Sequence, residues 1–223
     1  MMYTSHILHQ RVLNFADLSE EDREEQKLDE IHTGNCLSIL IGDQLLANSS
    51  RGLAELRNPF IVEWMSKALE DFCKYSFLVE EQVDLSKPEC IIKNVEGRCY
   101  FSGGSLLGYS CKSAALLAGY SQTDDKLFLN DAFDFGNNMG ITFGLQDMLD
   151  SDSNANKLHN LEKLSKEETI NYLKKVLEAR ISNCLQLVDK LPKFESTVNI
   201  RNVIVSIANK YLRQCLIESE QRL

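Results

Sequence analysis

Proline is nearly absent from this chain: three in 223 residues, at Pro59, Pro88 and Pro192. No Pro-, Gly- or Ser-rich stretch divides it, so no linker is evident and a single domain over 1–223 is expected. Period-two runs of β-branched residues are also missing, which excludes a sheet-based reading. No run of about 18 uninterrupted apolar residues occurs, so no membrane span is expected. Positive charge is in deficit: 24 Lys and Arg against 33 Asp and Glu give a formal net charge of −9. That balance disfavours nucleic acid and anionic membrane surfaces as partners. The cysteines (Cys36, Cys73, Cys90, Cys99, Cys111, Cys184, Cys215) are odd in number and form no Cys-x-x-Cys pair. Zinc or a disulfide framework is therefore not expected; buried or incidental thiols in a reducing compartment fit better. No signal or transit peptide is legible ahead of the first helix-like segment.

What remains is helical periodicity. Gly34–Leu56 is apolar at Leu37, Leu40, Ile41, Leu45 and Leu53, with small residues interleaved at Gly42, Ala47, Ser49, Ser50, Gly52 and Ala54. Small residues on more than one side admit neighbours all round, so a central, mostly buried helix is expected here. Ahead of it, Tyr3–Leu13 reads as the end of a helix. An acidic loop follows over about 15–33, densest at Ser19–Glu30, and reads as solvated. Asn58-Pro59 reads as a cap and first turn. The helix it opens carries Ile61, Met65, Ala68, Phe72 and Tyr75 on one face.

Val83–Glu96 contains Pro88 and reads as a loop. Gly97–Ala118 reads as a helix, apolar at Leu106, Leu107, Ala114 and Leu117. Its glycines within 103–108 would each cost roughly 1 kcal/mol relative to alanine if exposed. They make sense where something approaches the backbone closely. Asp125–Leu149 reads as another helix, ended by the breaker Ser151–Asn156. Two C-terminal helices fall within about 166–217: Lys166–Leu191, with Leu173, Leu177, Ile181, Cys184 and Val188 in register, and Ile200–Leu216. About seven helices with short connections make an all-α antiparallel bundle.

Three segments carry a family resemblance. GNCLSILIGDQLLANSS (34–50) resembles the central-helix signature of the trans-isoprenyl (polyprenyl) diphosphate synthases. FSGGSLLGYSCKSAALLAGYS (101–121) resembles their Lys-Thr segment, and GITFGLQDMLD (140–150) their second aspartate-rich motif. The three occur in the family's order, and the resemblance runs from about His6 to about Tyr211. It implies an isoprenoid-synthase-type antiparallel helical bundle that lacks the family's N-terminal helices. It also implies a chemistry in which two aspartate-rich turns hold Mg²⁺ against a leaving diphosphate, while basic side chains hold a second diphosphate.

Set against that pattern, this chain departs within the first aspartate motif, the second aspartate motif and the Lys-Thr segment. The first motif falls on Leu8 to Asn14, where the aspartate doublet is Gln10-Arg11 and the third aspartate is Asn14. His9 beside them reads as a packed, hydrogen-bonded side chain. The second motif is Gln146-Asp147, with Asp150 beyond, one aspartate where the family has two. The Lys-Thr pair is Ser102-Gly103, and Lys112 further along reads as exposed. Gly42-Asp43 keeps the family's dipeptide, with Asp43 expected as a buried, hydrogen-bonded carboxylate. Lys74-Tyr75 stands where the family often has Gln-Gly.

These losses are similar to those of the degenerate partner subunits of decaprenyl and solanesyl diphosphate synthases. The resemblance implies a chain that does not catalyse alone and binds no cofactor itself. It implies a mitochondrial heteromer with a catalytic polyprenyl diphosphate synthase subunit 1, which would hold the Mg²⁺ and build the ubiquinone side chain. Leu46, Asn48, Trp64, Phe72 and Tyr75 are the residues expected at or near the subunit interface. Two alternatives stay open: an active prenyltransferase using Asp43, Asp147 and Asp150 as atypical Mg²⁺ ligands, and a non-productive fragment.

Overall fold

A computed structural model describes residues 1–15, 25–78, 88–150, 166–191 and 193–220. Side chains at 25–26, 75–78, 88–92, 147–150, 166–170 and 210–220 are not among those described. The described residues form α-helices and one π-helical turn, with no strand among them. In chain order the helices are α1 (Met2–Gln10), α2 (Glu25–Glu55), α3 (Pro59–Leu78) and α4 (Pro88–Cys99). A π turn (Tyr100–Gly104) then leads into α5 (Ser105–Leu117), α6 (Lys126–Asp150), α7 (Lys166–Asp189) and α8 (Glu195–Glu220). The chain divides into two compact units, Met1–Glu63 and Trp64–Leu223.

In the first unit α1 packs on α2. The Asn58 side chain accepts from the backbone N–H of Phe60 at 3.1 Å and of Ile61 at 3.4 Å. It caps α3 ahead of Pro59, as the dipeptide predicts. Between α2 and α3 the chain turns through Arg57 at φ 50.

The second unit is built on α6. The π turn and α5 pack along one side of it, α7 along another, and α8 on α7. Buried Val95 and Cys99 from α4, Met139, Ile141 and Leu145 from α6, and Ile204 from α8 share one core with α7. From α7 that core takes Leu173, Leu177, Ile181, Cys184 and Val188, the helical register read from the sequence.

The seam between α6 and its neighbours explains the glycines. A Cβ at Gly136 would lie 2.2 Å from the Leu107 carbonyl oxygen, and one at Gly140 would lie 2.6 Å from Gly104 Cα. A Cβ at Gly144 would lie 3.0 Å from Cys99 Sγ. Backbones therefore touch across the seam, as the glycines within 103–108 require. Steps of four along α6 (136, 140, 144) meet 107, then 103–104, then 99 on the opposing helix. The π turn at 100–104 lies between the last two of these contacts.

Three expectations are corrected. A helix, α4, begins at Pro88 inside the segment read as a loop; proline at the first helical position signals a start, not only a break. The central helix is longer than Gly34–Leu56, reaching back to Glu25 through part of the acidic run. It is also not mostly buried: Leu37 is 53% exposed, Leu40 65% and Ile41 49%. The segment of the Ser151–Asn156 breaker lies outside the described residues.

Candidate functional site

The first cluster joins α1 to α2. Ser5 is buried and its hydroxyl donates to the Gly42 carbonyl at 2.8 Å. One helical turn on, the His9 ring lies against Gly42, where a Cβ would be 2.2 Å from its Nε2. A side chain at residue 42 would displace that ring. His9 Nε2 then lies 3.3 Å from Asp43 Oδ1 and 3.4 Å from the Ile39 carbonyl. Beyond the helix, the Asn35 amide grips Leu13 twice, accepting from its N–H at 2.9 Å and donating to its carbonyl at 2.8 Å. Burial, reinforced by the neighbouring His9, pulls the His6 pKa down to about 4.

Asp43 is thus not the buried carboxylate expected: its side chain is 64% exposed and paired to a half-exposed imidazole. The buried member of this dipeptide is Gly42. Gln10, Arg11 and Asn14 are exposed at and beyond the end of α1. They present an amide, a guanidinium and an amide. None can neutralise a divalent cation, so this turn does not fit Mg²⁺.

The second cluster lies in the other unit, where α3 meets the π turn. Asp71 is 3% exposed and accepts a short hydrogen bond from the fully buried Ser105 hydroxyl. Lys74 Nζ stands 3.6 Å from the same carboxylate and 2.7 Å from Glu70. The Tyr100 phenol reaches Ser105 and Asp71, and burial pushes its pKa up against the Ser105 hydrogen bond. Sequence reading missed Asp71. Its signal was a carboxylate three residues after Ala68 and one before Phe72, on a buried helix face.

Ser102 and Gly103 sit inside the π turn. The Ser102 hydroxyl donates to the Cys99 carbonyl at 3.4 Å, and Gly103 is buried. Lys112 is half-buried, not simply exposed. Its ammonium lies 4.8 Å from the centre of the Trp64 ring and 3.4 Å from Asn130 Oδ1. A third network ties α4, α6 and α7: Arg180 donates to Glu96 at 2.7 Å and to Asn138 at 3.0 Å. Gln146 is 2% exposed, and neither of its side-chain polar atoms has a hydrogen-bond partner among the described residues. The side chains of Asp147 and Asp150 lie outside the described residues. Among the described residues no three or more His, Cys, Asp or Glu are arranged to hold a metal ion.

The expected interface residues separate. Leu46 and Asn48 are half-buried, Asn48 accepting from Gln44 at 3.2 Å. Trp64 is half-buried under Lys112. Phe72, 5% exposed, belongs to the interior of its own chain. The Tyr75 side chain lies outside the described residues. The large exposed apolar side chains of α2 are instead Leu37, Ile39, Leu40 and Ile41. No helix among the described residues is long and apolar enough to cross a membrane.

The polyprenyl synthetase family model matches residues 15–163. A decaprenyl-diphosphate synthase from Dictyostelium discoideum is 34% identical over 158 residues, covering 70% of this chain and 32% of that protein. The all trans-polyprenyl-diphosphate synthase PDSS2 of Mus musculus is 30% identical over 168 residues, covering 72% of this chain and 40% of that protein. The chain therefore matches well under half the length of these relatives. In fold it is similar to the crystal structure of a decaprenyl diphosphate synthase from Rhodobacter capsulatus. The TM-score is 0.68 at 14% identity, covering 94% of this chain and 76% of that one.

Proposed function

Because the chain belongs to the polyprenyl synthetase family, we propose that it is a non-catalytic partner subunit of a heteromeric long-chain trans-polyprenyl diphosphate synthase. It supports a catalytic subunit that condenses isopentenyl diphosphate onto an allylic diphosphate, in mitochondria, for the ubiquinone side chain. The observation that carries this reading is the turn after α1. Gln10, Arg11 and Asn14 are exposed where the resemblance places the first aspartate motif. A guanidinium in that position repels the divalent cation that the chemistry requires. Ser102-Gly103, in place of the Lys-Thr pair, removes an ammonium that would hold diphosphate. Mg²⁺ accordingly belongs to the catalytic partner.

The α2 helix supplies the docking face in this reading. Leu37, Ile39, Leu40 and Ile41 are apolar on several sides of one helical turn, and exposed side chains of that kind favour burial by another chain. Of the residues first expected at the interface, Leu46 and Asn48 lie on the same helix and stay in the proposal.

The test separates a partner from an enzyme. Thermal melting of the isolated chain is measured with a non-hydrolysable allylic diphosphate analogue, with and without Mg²⁺. A partner subunit shows no Mg²⁺-dependent stabilisation. A metal-dependent rise in Tm would assign the chain its own active site.

A further inference from the structure

On α2, outside both clusters, His32 and Cys36 stand four residues apart, and both are exposed. His32 Nε2 lies 3.8 Å from Cys36 Sγ. The Phe15 ring lies beside the imidazole, centroid to centroid 6.4 Å. We propose that this pair is a two-ligand site for a soft divalent metal of the zinc class.

The spacing argument comes first. Residues i and i+4 project from one face of a helix, so a rigid backbone presents both donors together. The distance argument is independent of it. With zinc bonds of about 2.05 Å to nitrogen and about 2.3 Å to sulfur at a tetrahedral angle, the two ligand atoms are separated by about 3.6 Å. The observed 3.8 Å is that edge within a few tenths of an ångström, so a metal enters without moving the helix.

The ligand chemistry then selects the ion. A thiolate and an imidazole suit zinc and its neighbours, whereas Mg²⁺ requires oxygen donors. On binding, the Cys36 thiol proton is released to solvent, the sulfur–metal bond replaces the S–H bond, and no electron is transferred. Two further tetrahedral positions face solvent and take water. Cys73 is the comparison within the chain: it is also exposed, but neither residue 69 nor residue 77 is a histidine. Cys99 and Cys184 are buried. Burial pushes the Cys184 thiol pKa up to about 12, so it does not compete for metal.

The test uses the full chain in reducing buffer, titrated with Zn²⁺ by calorimetry and with Co²⁺ by absorption. One equivalent of Zn²⁺ is expected to bind, and the Co²⁺ form is expected to show a thiolate-to-metal charge-transfer band. Both signals are lost in Cys36→Ser and in His32→Ala, persist in Cys73→Ser, and are not produced by Mg²⁺. Far-UV dichroism of each variant checks that its helices are intact. The wild-type Co²⁺ spectrum needs no variant at all: absence of the charge-transfer band overturns the proposal. So does metal binding that survives either Cys36→Ser or His32→Ala.

Discussion

Replacing Gly140 with alanine should destabilise the second unit although alanine is the better helix former. Its Cβ would stand 2.6 Å from Gly104 Cα, 2.8 Å from the Gly103 carbonyl oxygen and 2.8 Å from the Gly104 nitrogen. All three atoms are backbone, so no rotamer change relieves the contact and the π turn must move away from α6. Overpacking of this kind costs about 3 kcal/mol at the upper end of its usual range. Removing a mid-helix glycine returns about 1 kcal/mol. The net loss is about 2 kcal/mol, or roughly 4–8 °C in Tm for a chain of this size.

Gly52 supplies the control. It lies inside α2, where an added Cβ would meet nothing within 4 Å, so Gly52→Ala should gain about 1 kcal/mol, the full helical preference. Thermal and urea melts followed by far-UV dichroism compare the two variants. If Gly140→Ala raises Tm as Gly52→Ala does, the close seam between the π turn and α6 is refuted.

Three further outcomes are expected. Gln146→Leu should stabilise by about 1 kcal/mol or more, because it removes two buried polar atoms that have no partner among the described residues; a loss of stability in urea melts would contradict that. His6, whose folded pKa is lowered from 6.5 to about 4, favours the neutral ring in the fold. Its contribution is therefore complete above about pH 6.5 and is lost as pH falls toward about 4, so the pH dependence of Tm in that window should flatten in His6→Gln. Leu40, 65% exposed, should tolerate Leu40→Glu with Tm within about 2 °C of the parent, while co-purification with the catalytic subunit falls; unchanged association would remove that side chain from the docking face.

Helices that bury one clear stripe were legible in the sequence. On α3, Ile61, Met65, Ala68 and Phe72 recur at threes and fours and all are buried. The same holds for Leu173 to Val188 on α7. Periodicity was less informative on α2, because it marks faces fit for burial without naming what covers them. Leu37, Leu40 and Ile41 are fit for burial and stand exposed. The short α4 was hidden by its composition: its buried side chains include Arg98 beside Val95 and Cys99, a poor apolar signal. The π turn left no residue signature of its own.

The candidate site was legible as a set of losses. Gln10, Arg11 and Ser102 are readable as missing charges from the resemblance alone. Asp43 was misread because its carboxylate pairs with His9 of α1 at the surface, 64% exposed, while Gly42 is the buried member of the dipeptide. The Asp71–Ser105 pair was missed because its partners are 34 residues apart and belong to no recognised motif.

The most direct test of the partner-subunit reading is a co-expression assay. The chain is produced with and without its organism's catalytic subunit, then given farnesyl diphosphate, labelled isopentenyl diphosphate and Mg²⁺. Long-chain product only when both chains are present is the expected result. Product from this chain alone, or equal product from the catalytic subunit without it, would contradict the reading.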